Sequence, residues 1–425
     1  MTREDILNLI EEEDVEFIRL QFTDIFGELK NVAITARQFE RVLDNNFVFD
    51  GSSLYGKKSV LEQDMYLRPE LDTFVILPWR PQQGKVARFL CDIVDENGNS
   101  VEICPRNILK RTLREAEKKG YSVYVDSECE FFMFHTDDNG MPTTITHEQA
   151  GYLDVGPMDL GENARRGIVL DLEAMGFEVE SSHHEKAPAQ HEITFSSAEA
   201  MQSADEIITF KNAVRSTAKR FGLHATFMPK PLTGVPGSGM HVNFAVYKDD
   251  RNIFNYKDGE LKDEVKYFIG GILKYAKEMC PITNPIVNSY RRLTDSFDAP
   301  KKVDWTSQSG NTLAKVRKRI GDDMKVELRF PDPSANPYLT IALFVKAGLK
   351  GIEENILPGE ECSEKADRLP ATLGESIEIM RNSKFVREAL GDQFVDSYLD
   401  IKSAEWQEYM SQVSDWEISK YLYRT

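Results

Sequence analysis

The sequence predicts a mixed fold of strands and helices in two parts. Strand-like segments crowd the first hundred or so residues, with only one or two helical stretches among them. Beyond that point, strands alternate with long helices. The length of 425 residues points the same way, since a chain of that size usually holds more than one domain and can bury a large core. The boundary is expected at Cys104, giving domains 1–103 and 104–425.

Residues 2–12 read as a short helix. Thr2 and Asp5 make a capping-box-like start, and Ile6, Leu7, Leu9 and Ile10 supply an apolar face. The segment FIRLQFTD alternates apolar and polar residues as a half-buried strand does. LKNVAIT, TFVILPW and KVARFLCDIVD read as further strands, the last closed by a turn at Asn97-Gly98. Residues 44–68, which contain DGSSLYG, read as a loop. Pro105 opens a helix that Gly120 ends. Ser203 and Glu206 read as a capping box before IITFKNAVRSTAKRF, which Gly222 ends, and 261–279 give another amphipathic helix. Trp406, Tyr409, Met410, Val413 and Trp416 fall at helical spacing, which reads as a packing stripe within the chain or against another subunit.

Composition excludes several classes. A net charge of −18 argues against nucleic acid and against anionic membranes, and an anionic substrate needs local basic residues to offset that field. The five cysteines are scattered, odd in number and without metal-ligand spacing, as expected of reduced thiols. The acidic N-terminus is unlike a signal peptide, and no apolar run is long enough to span a bilayer. A cytoplasmic protein is expected.

The chemistry gathers around residues 121–134, YSVYVDSECEFFMF, a strand by its aromatic and β-branched content. Glu128 and Glu130 are two apart and so share a face. Like charges that close repel unless a cation lies between them; the plain alternative is a solvated strand end. Three later stretches repeat the pattern. Glu180, Glu185 and Glu192 flank a proline-containing turn, His241 follows a glycine-rich turn, and Glu327 and Arg329 share a face of KVELRF. Oxygen-rich ligands with an occasional histidine suit Mg²⁺ or Mn²⁺ better than a structural zinc.

These stretches also carry a resemblance. FDGSSL (49–54), DMYLRPE (64–70), ECEFF (128–132), HHEKAPAQHEI (183–193), ATFMPKP (225–231), GSGMH (237–241), NSYRRL (288–293) and ELRFPDPSANPYL (327–339) run in one order over nearly the whole chain. Together they resemble type I glutamine synthetase. The resemblance implies an α+β fold: a small N-terminal β-grasp-like domain, then a larger catalytic domain with a curved antiparallel sheet and flanking helices. It implies ATP-dependent ligation of ammonia to the γ-carboxylate of glutamate, in a homododecamer with active sites between subunits.

Residue by residue, the resemblance makes Glu130, Glu185 and Glu192 ligands of one Mg²⁺ or Mn²⁺, and Glu128, His241 and Glu327 ligands of a second. It gives glutamate to Gly237, His241, Arg292 and Arg329. Arg292 also counts among the catalytic residues, with Asp50 and Asp298. Asp50 is the ammonium acid a neighbouring subunit presents, and Asp298 stands in DSFDAP where the family has a flap glutamate. ATP falls to Glu180, Asn243, Lys315 and Lys325. The chain departs from the pattern at Pro236 (usually Asn), Ala245 (Ser), Gly310 (Arg), Lys315 (Arg) and Lys325 (Arg). Lys315, Arg317, Lys318 and Arg319 are the cations available to compensate, and Ser59 stands where relatives often have an arginine linked to feedback inhibition. These departures leave two other readings: a ligase for a different amine, and a weakly catalytic paralogue serving as scaffold or regulator.

Overall fold

The computed structural model describes residues 1–53, 64–257, 260–294, 297–317 and 324–424. Ser59, Lys318 and Arg319 lie outside the described residues. The chain is α+β. The helix Arg3–Glu12 starts with the expected capping box, Thr2 and Asp5 each bonding the other's backbone N–H. A six-stranded sheet follows, in the order Leu29–Thr35, Val15–Thr23, Lys85–Val94, Asp64–Pro69, Phe47–Asp50, with Val75–Ile76 also on Lys85–Val94. Only Val15–Thr23 and Lys85–Val94 run parallel. Ile18, Leu20 and Phe22 point inward by strict alternation, and Phe39 stacks on Phe89 with ring centroids 4.6 Å apart.

The second sheet has ten strands. Its main path runs Trp305–Thr306, Ala314–Arg317, Lys325–Leu328, Met240–Lys248, Tyr121–His135, Gln190–Phe195, Val179–His184. All these pairs are antiparallel except Trp305–Thr306 with Ala314–Arg317. Val125, Cys129 and Phe131 of the central strand are buried on one face. The long helices Ala200–Arg220, Asp263–Thr283 and Pro337–Glu354 pack there, bringing Phe210 against Phe131, and Phe268 and Phe344 against Phe244. The opposite face carries Asp126, Glu128 and Glu130, left for other work. Among the described residues no helix is long and apolar enough to cross a membrane.

Several local expectations are corrected. The helix Ala200–Arg220 starts before Ser203, which is buried within it; no side chain caps its start, because the short strand Ala198–Glu199 feeds straight into it and burial of Ala200 and Ala204 draws in the extra turn. Residues 44–68 are not one loop, since Phe47–Asp50 and Asp64–Pro69 pair with each other as strands. TFVILPW yields only the two-residue strand Val75–Ile76. The C-terminal stripe is broken: the helix Asp392–Met410 ends and Ser414 caps a separate helix, Asp415–Tyr421. Trp406 packs on the core, whereas Met410, Val413 and Trp416 are exposed in this chain.

Candidate metal centre and its cavity

Register places the acids. In the sheet, His241 lies opposite Glu128, Asn243 opposite both Asp126 and Glu327, Glu130 opposite Glu192, and Glu192 opposite His183. A strand shows alternate residues to one face, so these side chains rise from the same surface. Of these, Glu128, Glu130, His183, Glu192, His241 and Glu327 form the floor of a cavity of about 540 Å³, walled by Arg292, Arg329, Lys315 and Arg317 among others.

Two compact ligand sets stand on that floor. Glu128, His241 and Glu327 offer one atom each within 4.8 Å of one another, and so do His183, Glu185 and Glu192. His241 Nδ1 is 3.1 Å from Glu128 Oε2 and 3.3 Å from Glu327 Oε1. The sets fit hard divalent cations. Their donors are carboxylate oxygens and imidazole, and the buried Glu327 Oε2 takes no hydrogen bond among the described residues. The first set brings together the three residues expected at one ion. The second groups Glu185 and Glu192 with His183; Glu130 faces Glu192, and its Oε2 accepts from Gly239 N at 2.8 Å and Gln190 Nε2 at 2.9 Å. His183 stands 3.5 Å from Glu192 and 3.6 Å from Glu185. The sequence alone assigned His183 to neither ligand set; the signal is its register opposite Glu192, which requires knowing the strand pairing.

Burial and neighbouring charges shift these carboxyls in opposite directions. Burial pushes the Glu130 carboxyl up to about 7, against the pull of His241 and with help from Glu192 and Glu185. Burial, then Glu192, also raises Glu185. Glu128 behaves oppositely: burial works to raise it, but the His241 hydrogen bond and the charges of His241 and Arg317 hold it near 2.

Arg329 reaches the floor, with Nε 3.4 Å from Glu327 Oε1, and its Nη1 donates to Asn311 Oδ1 at 2.8 Å. Arg292 is buried and donates to the carbonyls of Phe330, Pro331 and Arg329 at 2.9–3.2 Å. Gly237 admits no side chain, since a Cβ there would stand 2.2 Å from the Pro229 carbonyl oxygen. Glu180 and Lys315 line the cavity. Asn243 and Lys325, expected at ATP, are not among the lining residues. Both are buried on Asp126, which accepts from Asn243 Nδ2 at 2.6 Å and from Lys325 Nζ. The buried carboxylate needs that ammonium as its counter-charge.

Comparison with known proteins is decisive. The family description "Glutamine synthetase, catalytic domain" matches residues 102–421, and "Glutamine synthetase, beta-Grasp domain" matches 14–96. The chain belongs to the glutamine synthetase family. It is 49% identical to a glutamine synthetase of Clostridium saccharobutylicum, over 99% of this chain and 98% of that one. It is 46% identical to one from Methanosarcina mazei, with the same coverage. A solved structure of GmaS in complex with ADP superposes with a TM-score of 0.89, at 27% identity, covering 98% of this chain and 99% of that one. The glutamine synthetase family is ATP-dependent and uses divalent metals, in keeping with the two ligand sets.

The glutamine synthetase fold also supplies a support that the sequence did not reveal. Behind the hairpin carrying Glu185 and Glu192 lies a buried cluster of Glu148, Asp159, Arg165, His184 and His191. Glu148 Oε1 is 2.6 Å from His184 Nε2 and accepts from Ala189 N at 2.5 Å. Arg165 Nη2 donates to Asp159 at 2.7 Å, and its Nη1 donates to His191 Nδ1 at 2.9 Å. Burial, then the Arg165 charge, pushes His191 down to about 3, so the ring stays neutral and can accept that bond. Glu185 and Glu192 thus each follow directly after a histidine held from the rear.

Proposed function

We propose that this chain joins ammonia to the γ-carboxylate of glutamate at the expense of ATP, giving glutamine. The observation that carries the reading is the pair of cation-ligand sets on one cavity floor, ringed by arginine and lysine. A γ-carboxylate oxygen of glutamate attacks the γ-phosphorus of ATP, ADP leaves, and γ-glutamyl phosphate forms. The nitrogen of ammonia then attacks the acyl carbon, phosphate departs with the C–O bonding pair, and a carboxylate takes the surplus proton.

Mg²⁺ or Mn²⁺ is the cation we assign to Glu128, His241 and Glu327, and to Glu185 and Glu192 with Glu130 or His183. Such ions neutralise phosphate oxygens when bound. Gly237, His241 and Arg329 face the glutamate, while Arg292 shapes that end through the backbone it holds. Glu180 and Lys315 stand at the nucleotide end; Asn243 and Lys325 act there through Asp126, beneath Glu128. Residues 1–103 and 104–425 are the two domains of this reading. Asp50 is exposed, accepts from Ser52 N at 2.9 Å, and is not among those lining its own chain's cavity. We assign it to a neighbouring subunit's site within a homododecamer, which also covers the exposed C-terminal aromatics.

Asp298 lines the cavity and pairs with Lys186 Nζ at 2.7 Å. We assign it to proton removal from ammonium. Asp298→Glu, one methylene longer, is expected to change KM for ammonia by about tenfold, with ADP affinity unchanged. A shift in ADP affinity alone would reject this placement.

The direct test of the reaction is phosphate release with ATP, Mg²⁺ and glutamate, run with ammonia and then with a panel of small amines. Release that needs both glutamate and ammonia is expected. Release with another amine only would make the enzyme a different glutamyl ligase, and none with any amine would overturn the reading.

A further inference from the structure

The strand Ala314–Arg317 lies beside Lys325–Leu328, with Lys315 opposite Glu327 and Arg317 opposite Lys325. Lys315 and Arg317 therefore rise from the same face as the cation ligands. Arg317 holds two of those ligands at once: Nη1 donates to Glu128 Oε1, and Nε stands 3.2 Å from Glu327 Oε2. His241 faces the other oxygen of each, Glu128 Oε2 and Glu327 Oε1. Each carboxylate thus turns one oxygen toward the imidazole and one toward the guanidinium. A cation held by His241 with one oxygen of each carboxylate would leave the other oxygen of each to Arg317. The Arg317 side chain is 37% exposed, and it lines the cavity alongside Lys315 and Gly310, a residue with no side chain to contribute.

We propose that Arg317 is a phosphate-binding residue of this chain, gripping the terminal phosphate of ATP beside the cation held by Glu128, His241 and Glu327. This rests on the ATP-dependent ligase reading above. The planar fork suits a phosphate, and the two carboxylates hold it in place before the ligand arrives, so little rotamer freedom is lost on binding. The competing role is that of a plain counter-ion, balancing Glu128 and Glu327 without touching substrate.

Calorimetry on the full chain separates the two, comparing ADP with the β,γ-imido analogue of ATP, both with Mg²⁺, and Mn²⁺ alone. In Arg317→Ala, the analogue is expected to bind about tenfold more weakly, with ADP and Mn²⁺ affinities within about threefold of the parent and turnover down about 100-fold. Arg317→Gln, which keeps hydrogen bonding to the carboxylates, is expected to show the same selective loss. Equal weakening of ADP, analogue and Mn²⁺ would identify a counter-ion and overturn the proposal, as would no change in any of them. Were the parent chain to release no phosphate with any amine, the ligase reading would fall, yet the contrast between analogue and ADP would still decide the role of Arg317.

Discussion

Glu327→Ala is expected to lower turnover by on the order of 10³-fold and to remove one divalent cation from the binding stoichiometry. Glu327 sits 3% exposed by side chain, between His241 and Arg329 on one oxygen and Arg317 and Lys315 on the other. Removing it takes one carboxylate from a three-member ligand set and leaves positive side chains facing one another. The stability of the variant must therefore be read alongside its activity. Glu327→Gln keeps the shape and loses the charge, so it separates ligation from packing. Mn²⁺ titration together with phosphate release makes the measurement. An unchanged rate and unchanged stoichiometry in both variants would remove Glu327 from the metal centre.

The second large effect is on stability, and its sign follows from Glu130. Burial lifts this carboxyl from 4.5 to about 7, so the folded chain holds a proton that the unfolded chain has shed. Its favourable contribution is full below pH 4.5 and is lost as pH rises to about 7. Glu185 is raised for the same first reason, burial, and adds in the same direction. Without added metal, the chain is therefore expected to lose stability across that window from these two groups. A divalent cation binds the ionised carboxylates, so it offsets the loss only where they are ionised. The rise in Tm on adding Mg²⁺ to chelator-treated protein should be several degrees larger at pH 8 than at pH 5.5. Thermal melts at both values, with and without metal, check this. An equal rise at both, or a larger one at pH 5.5, would show that the ions bind elsewhere.

Much of this was legible in the sequence, for definable reasons. Alternation marked the strands, and acids two apart on an apolar strand marked the face with work to do. Pro105 and Gly120 bounded a helix because each has a local conformational preference that tertiary context did not need to override. What could not be read depended on partners distant in the chain. Ser203 and Glu206 have capping chemistry, but burial of Ala200 and Ala204 set the helix start. His183 joins a ligand set only through its register against Glu192, and Lys325 is drawn to Asp126 across two strand pairings. Arg317 was only one of four cations available to compensate for Gly310 until the strand pairing put it beside Glu128 and Glu327.

The two halves of the active site are anchored by different means. The candidate cation ligands stand on a continuous sheet, and the hairpin bearing Glu185 and Glu192 is braced from behind by Glu148, Arg165 and Asp159. The segment bearing Asp298 is tied to that frame by a half-exposed ion pair with Lys186, a contact of little energetic weight, and by Lys230 over the Phe297 ring. Selection on this chain can therefore rewrite which nitrogen nucleophile it accepts at small cost to folding, while changes to phosphate activation are confined by the architecture itself. Lineages built on this scaffold should diversify in their acceptor amine far sooner than in their dependence on a nucleotide and divalent ions.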